Sequence, residues 1–232
     1  MKGYGQFCPI AKTMEVLDER WTVLIIRELL VGSHHFNELR RGVPRMSPAL
    51  LSKRLRSLER VGIVMRLDDG NRRRYELTPG GRELGPVVMA LGEWGTRWRT
   101  QLGDDDLDPH LLMWDVHRNL DLDAMPDGRT VIGFHFPDVE PRTRSWWLVV
   151  QDDDVDVCDA DPGYPVAVSA EVSLRTMVDV WRGDLSWRAA LSAGDLRLEG
   201  SAASRRALAH WLKLSPFASV PRVEAGPAPE TV

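Results

Sequence analysis

Ser47-Pro48-Ala49-Leu50-Leu51-Ser52-Lys53-Arg54-Leu55-Arg56-Ser57-Leu58-Glu59-Arg60-Val61-Gly62-Ile63-Val64 decides the fold of this 232-residue chain. Ser47 offers a side-chain oxygen to the orphan amides of a first helical turn, and Pro48 pre-sets the backbone of the position after it. Leu51, Leu55 and Leu58 follow at i, i+4 and i+7 and form one inward stripe. Ala49, Ser52, Lys53, Arg56 and Arg60 are left on the other side. Small residues come first on that outer face and cations follow. Such a helix can bring its first turns close to base edges and grip phosphates further along.

Working outward, Gly42-Val43-Pro44-Arg45-Met46 forces a turn just before this helix, and a shorter helix runs from about His35 through Phe36 and Leu39 to Arg41. The run from Trp21 to Val31 is apolar nearly all round, as expected of a helix at the centre of a small core, and Gly32 ends it. Pro9 opens a first helix with Ile10, Met14 and Leu17 as its apolar stripe. Downstream, Ile63 to Leu67, the turn Asp68-Asp69-Gly70-Asn71 and the run Arg72 to Thr78 predict a β-hairpin with Tyr75 and Leu77 facing inward. Helix, tight turn, cationic helix and basic hairpin together predict a winged helix-turn-helix whose partner is double-stranded DNA. The expected contacts are Ser47, Ala49, Ser52, Lys53, Arg56 and Arg60 on the helix and Arg72, Arg73 and Arg74 on the wing. A further helix, marked by Leu84, Val87, Val88, Leu91, Trp94, Gly95 and Trp98, has two tryptophans more than its own small domain needs. It predicts a homodimer formed through the Leu84–Trp98 helix and the N-terminal helix, reading two inverted half-sites about one DNA turn or a multiple of it apart.

Cys8-Pro9-Ile10, Arg20-Trp21-Thr22, Phe36-Asn37-Glu38-Leu39, the run from Ser47 to Val64 and Tyr75-Glu76-Leu77-Thr78 occur in that order. Their combination resembles the HxlR family of bacterial transcription regulators, over roughly residues 7 to 100. The resemblance implies a dimeric, MarR-like DNA-binding regulator. It also implies that a cysteine at the position of Cys8 can sense oxidants or electrophiles. Members of that family usually close soon after this domain, so everything beyond about residue 103 is an addition.

The charge changes sign at that point. Residues 1–102 hold 18 Lys plus Arg against 11 Asp plus Glu, whereas residues 103–232 hold 12 against 23, within an overall net charge of −4. A basic half suits a polyanionic partner, since each neutralised phosphate releases counterions; the acidic half would be repelled by the same partner. The expected organisation is therefore a winged domain over 1–102, an acidic linker over 103–109, a second domain over 110–220 and a disordered tail over 221–232. The tail has three prolines, a glycine and few bulky apolar residues. With no long apolar run and no signal-peptide pattern, a cytoplasmic protein without membrane spans is expected.

The acidic half predicts strands at Thr130–Phe136, Ser145–Val150, Val155–Cys158 and Pro165–Val172, arranged as a meander. A helix capped by Ser173 follows, then a short helix near Trp187, a strand at Asp195–Glu199 and a last helix after Ser201. The fold class is thus α+β in both halves, mostly helical in the first. Ser173-Leu174, Trp181-Arg182-Gly183-Asp184-Leu185-Ser186-Trp187 and the run Ala190 to Gly200 make the second half similar to the sterol carrier protein type 2 fold over roughly residues 110 to 215. That resemblance implies a tunnel for lipids or other apolar small molecules. Six of the nine tryptophans lie here, and two or three of Phe134, Trp147, Met177 and Trp181 are the residues expected to meet a ligand; a vestigial pocket in a purely structural module is the open alternative.

Two readings stand for Cys8. Its place before Pro9, at a helix start with Lys12 a turn away, favours the reactive thiolate, while a small buried hydrophobe at a dimer seam would look the same in sequence. No HExxH, GxSxG, P-loop or GxGxxG occurs in a context that gives it chemistry. No catalytic site, metal site or cofactor is expected. The sequence thus predicts a regulator controlled by an apolar small molecule; the rival reading, a hydrophobic carrier whose winged domain mainly dimerises, has no use for a basic domain.

Overall fold

A computed structural model describes residues 3–70, 72–99, 101–152 and 154–223. It divides the chain into two compact units, Met1–Trp94 and Gly95–Val232, so the division falls within a helix and ahead of the reversal of charge.

The first unit contains α1 (Pro9–Leu17), α2 (Thr22–Leu30), α3 (Phe36–Gly42), α4 (Pro48–Arg60), the hairpin strands β1 (Val64–Asp69) and β2 (Arg72–Leu77), α5 (Pro79–Arg82) and the start of α6 (Gly85–Trp98). Ile25, Ile26 and Leu29 of α2 meet Leu39 of α3, Leu51, Leu55 and Leu58 of α4, and Val64 and Leu77 of the hairpin in one core. The leucine stripe of α4 is fully buried, as its spacing requires. Tyr75 is packed against the same core. The run from Trp21 to Val31 departs from the expected all-round burial: Leu24 on α2 and Val31 just after it are exposed, because only one side of the run meets the core. On α1, similarly, Leu17 packs inward while Ile10 and Met14 stay exposed.

Among the described residues, Thr22, Glu28 and Ser33 are the buried polar groups of this unit, and Glu28 is the one that carries a charge. The side chain of Glu28 has 0% exposure, and its carboxylate accepts from Arg27 Nη2 at 2.7 Å and from Ser33 Oγ at 3.1 Å. Arg27 Nη2 also donates to Gly42 O at 2.8 Å, at the last residue of α3. A buried carboxylate is tolerated only when donors of this kind surround it. Gly42 is packed so closely on the Glu28 carboxylate that a Cβ there would occupy the same space.

In the second unit, α7 (Pro109–His117) precedes β3 (Arg129–His135), β4 (Ser145–Gln151), β5 (Asp154–Cys158), β6 (Val168–Val172), α8 (Leu174–Arg182), α9 (Trp187–Ala193), β7 (Leu196–Gly200) and α10 (Ala202–Trp211). The sequence reading missed α7, whose buried Leu112, Met113, Trp114 and Val116 leave no clean apolar stripe. The expected simple meander is also corrected. The strand order is β5-β4-β3-β6-β7, with β6 parallel to β3 and the other neighbours antiparallel. β5 carries exposed Asp154 and Asp156 and remains at the edge, as a charged strand should; β6, with Val168, Ala170 and Val172 buried, takes the interior place beside β3. Ser173, Ser186 and Ser201 cap α8, α9 and α10, and Gly183 ends α8 in the left-handed conformation with φ 79°. Trp146, Leu148, Phe134 and Ile132 from the sheet meet Met177, Val180 and Trp181 from α8 and Leu208 and Trp211 from α10 in the second core. The acidic run after α6 forms a short 3-10 turn at Asp104–Asp106, and Asp108 caps α7. Of the expected tail, Pro221–Val223 are described and residues 224–232 lie outside the described residues.

The contact between Gly42 and Glu28 has a measurable consequence. Gly42→Ala forces the held carboxylate out of its donors, and a destabilisation of about 3 kcal/mol or more is expected in urea unfolding of the full chain. An unchanged midpoint would show that Glu28 can move freely.

Candidate nucleic-acid interface

The interface is built from the end of α3 outward. Met46 N–H donates to Val43 O at 2.9 Å and closes the turn after α3. Ser47 Oγ then accepts from Leu50 N at 3.3 Å, with Pro48 at the first helical position. Because Val43, Met46 and Leu51 are all buried, the turn is anchored on both sides and the direction of α4 is set by the core.

Ser47, Ala49, Lys53, Arg56 and Arg60 are exposed and Ser52 is half-buried, so the six expected residues share the side of α4 away from its leucines. Among the described residues, none of Lys53, Arg56, Arg60 or Arg73 is in an ion pair. Arg54, one position from Lys53, behaves differently: it pairs with Glu19, and its Nε donates to Arg20 O at 3.3 Å. It braces α4 against the segment before α2. The helix therefore separates its cations into one committed to the fold and three held towards solvent.

In the wing, Asp68 opposes Arg73 and Leu67 opposes Arg74. Arg73 and Arg74 are exposed, with Arg74 Nε 2.9 Å from Glu76 Oε1. The side chain of Arg72 lies outside the described residues. His34 and His35, at the start of α3, have a definite task at the wing. Tyr75 N–H donates to His34 O at 2.8 Å; His34 Nδ1 lies 3.2 Å from Tyr75 O and His35 Nδ1 3.1 Å from Arg73 O. A carbonyl oxygen only accepts, so each ring carries its proton on Nδ1. The two histidines tie β2, and with it Arg73, to the start of α3. Glu38 completes the junction by accepting from His34 N at 2.7 Å and His35 N at 2.8 Å. Burial pushes the Glu38 carboxyl up, but the His35 and His34 amides and the two imidazoles outweigh it and hold the group below its ordinary value.

Two features were missed in the sequence. Glu28 stood inside an apolar run, where a lone acid was the available sign. The donors at His34 and His35 carried no sign, since pairing with β2 depends on chain reversal elsewhere.

Cys8 lies at the start of α1, partly exposed and outside any disulfide, and makes no side-chain capping bond. Lys12, expected to act on the thiol, is paired instead with Glu15 at 2.9 Å. In the second unit, Phe134, Met177 and Trp181 belong to one buried cluster. Trp147 does not join them: Trp146, Leu148 and Val150 of β4 are the core-facing residues, and Trp147 projects to the opposite side of the sheet. The four expected ligand residues therefore do not line one cavity. Among the described residues, no group of three or more His, Cys, Asp or Glu is placed to hold a metal ion. No helix of the described residues is long and apolar enough to cross a membrane.

A helix-turn-helix followed by a basic hairpin, with unpaired cations on its second helix, defines the first unit as a winged helix-turn-helix. Residues 16–102 match the HxlR-like helix-turn-helix family. The chain is 36% identical over 98 residues to the HTH-type transcriptional regulator YvaP of Bacillus subtilis, covering 40% of this chain and 91% of YvaP. It is 37% identical over 100 residues to the HTH-type transcriptional regulator sll1512 of Synechocystis, covering 42% of this chain and 74% of that relative. Among solved structures, the redox regulator HypR in its reduced form is 34% identical, covers 38% of this chain and 91% of its own, and gives a TM-score of 0.36. The chain belongs to the HxlR-like helix-turn-helix family.

Two outcomes follow from this geometry. In fluorescence anisotropy with a DNA duplex, Arg56→Ala and Arg73→Ala should each weaken binding by about 1 kcal/mol and reduce the log-affinity against log-salt slope by about one. An unchanged slope removes both residues from phosphate contact. For Glu38, a lowered native pKa means its stabilisation is complete above the ordinary carboxylate range and is lost as the pH falls through the native value. The stability gap between the natural protein and Glu38→Gln should therefore be widest near neutral pH and shrink as acidification proceeds below the ordinary carboxylate range; a gap that does not change with acidification contradicts the assignment.

Proposed function

We propose that this protein is a DNA-binding transcriptional regulator that works as a homodimer and is controlled through its second unit. In this reading α4 enters the major groove, with Ser47, Ala49 and Ser52 towards base edges and Lys53, Arg56 and Arg60 on phosphates, while the wing arginines lie along the backbone. The carrying observation is that Lys53, Arg56, Arg60 and Arg73 are exposed and in no ion pair among the described residues, whereas neighbouring Arg54 is consumed by the fold. Cations left unpaired on one face suit a polyanion. Relatives named as HTH-type transcriptional regulators support the same assignment.

Dimerisation is supported by apolar surface that a lone chain leaves in water. No residue of α6 is buried; Trp94 is 58% and Trp98 55% exposed, with Val87 and Leu91 exposed alongside them. Near α1, Phe7 is fully exposed and Ile10 is 74% exposed. Contiguous apolar surface of this kind marks an interface. A symmetric pair places two α4 helices on inverted half-sites.

For the second unit we assign a sterol-carrier-like module that takes an apolar small molecule between α8 and the sheet, against Phe134, Met177 and Trp181. Support comes from the aromatic-rich cluster those residues share beneath one amphipathic helix. Regulation then requires that the ligand bind two dimer geometries with different affinity.

Native mass spectrometry together with anisotropy on an inverted-repeat duplex tests the reading. The natural protein should be a dimer. Leu91→Asp combined with Trp94→Asp should give a folded monomer by circular dichroism, with DNA affinity reduced at least about tenfold as the two half-sites lose their linkage. A double variant that remains dimeric removes α6 from the interface, and a natural protein with no affinity for any duplex removes the regulator.

A further inference from the structure

Composition alone predicts that the chain from Pro221 onward cannot repay the entropy of ordering. Its first three residues are nevertheless held. After α10 the chain passes the C-terminal end of α8, where Ser215 N–H donates to Trp181 O at 2.9 Å. Ala218 lies against Gly183, and a Cβ on that left-handed glycine would come within 2.9 Å of the Ala218 Cβ. Arg222 then turns its guanidinium back. Nε donates to Asp184 Oδ1 at 2.8 Å, Nη2 to Arg182 O at 2.5 Å, and Nη1 to Phe217 O at 3.3 Å and to Val220 O. The side chain is only 20% exposed. A planar guanidinium can satisfy acceptors from two segments at once in this way, and an ammonium group cannot reproduce that fork.

The next residue reaches α6. Val223 N–H donates to Arg97 O at 3.0 Å, one of the last four helical carbonyls and therefore one without an intrahelical partner. The other end of α8 is linked to the chain after α6 by Arg175, which donates to Leu102 O at 3.4 Å and pairs with Asp104 at 2.6 Å. Asp104 is 97% exposed, so water screens that pair and it contributes little. Arg222 is the better-enclosed of the two links.

We propose that Arg222 is a positioning residue that pins the last turn of α6 to the C-terminal end of α8. The inner side of α8 carries Leu174, Met177, Val180 and Trp181, all buried. An occupant that displaces this helix also displaces Arg182 and Asp184, the groups that hold Arg222, and so releases or redirects the carbonyl at Arg97. The pin stands on the contacts above; its consequence for DNA rests on the dimeric regulator proposed in the preceding subsection, because α6 is the helix given to the dimer there.

Hydrogen-exchange mass spectrometry of the full chain, paired with native mass spectrometry and duplex anisotropy, tests it with Arg222→Lys and Val223→Pro. Val223→Pro keeps the Arg222 side chain and removes the amide that donates to Arg97. For both variants, exchange over residues 95–99 should quicken about tenfold while β6 keeps its protection, and the dimer should persist with DNA affinity about fivefold weaker. Unchanged exchange over 95–99 overturns the pin, and faster exchange with unchanged DNA affinity overturns its transmission. Should Arg222→Lys unfold the second unit, lost protection in β6 reveals it and Val223→Pro decides. A natural protein that binds no duplex would defeat the regulator and the transmission with it, and the exchange comparison would still decide the pin.

Discussion

A carboxylate sealed from water governs the first unit. Glu28 lies between the end of α2 and the end of α3, with Arg27 and Ser33 as donors and Gly42 pressed against it. Such a group adds little net stability compared with a well-packed apolar side chain, but removing one partner alone is severe because the other is left buried and unmatched. The cost of mismatch fixes geometry. Arg27 reaches across to the last carbonyl of α3, so the spacing of α2 and α3 and the point from which the turn departs are set together. The placement of α4 follows, since its own inward surface consists of leucines that would tolerate small slips, whereas a sealed carboxylate and its donors would not.

The wing depends on a second polar junction of different character. His34, His35 and Glu38 are only partly buried, and they act through donors to main-chain oxygens and acceptors of main-chain amides. They couple β2 to α3 rather than to α4. The cations of the helix and those of the wing are consequently held by separate devices that meet at α3. Both devices leave the charges of Lys53, Arg56, Arg60 and Arg73 uncommitted, which is how a basic surface is kept available in a protein with net charge −4.

The two units differ in how much of them could be read. Caps and periodicity located α4, α8 and α10 closely, because Ser47, Ser173, Ser201 and Gly183 act within a turn of themselves; turn residues and alternation located the hairpin. Helix α7 escaped because its buried residues fall on more than one side. The place of β6 escaped for another reason: strand pairing joins residues far apart, so Ile132 beside Val168 has no local trace. Of the candidate interface, the outward residues of α4 could be read from the leucines opposite them. That Arg54 serves the fold could not, since Glu19 and Arg20 lie on another segment.

The sequence by itself determined the main helices and the hairpin of the first unit, though not the short α5, which side of α4 faces out, and that the chain changes charge after about residue 102. These follow from effects that operate over a few residues: capping, side-chain periodicity and the counting of charges. Only the tertiary structure decided which polar groups are spent internally, that Trp147 lies across the sheet from Phe134, and that Arg222 is held against α8 despite a composition that favours disorder. Each of those depends on partners brought together from distant positions. Their free energy exists only after the chain has closed on itself, so no local pattern can encode it.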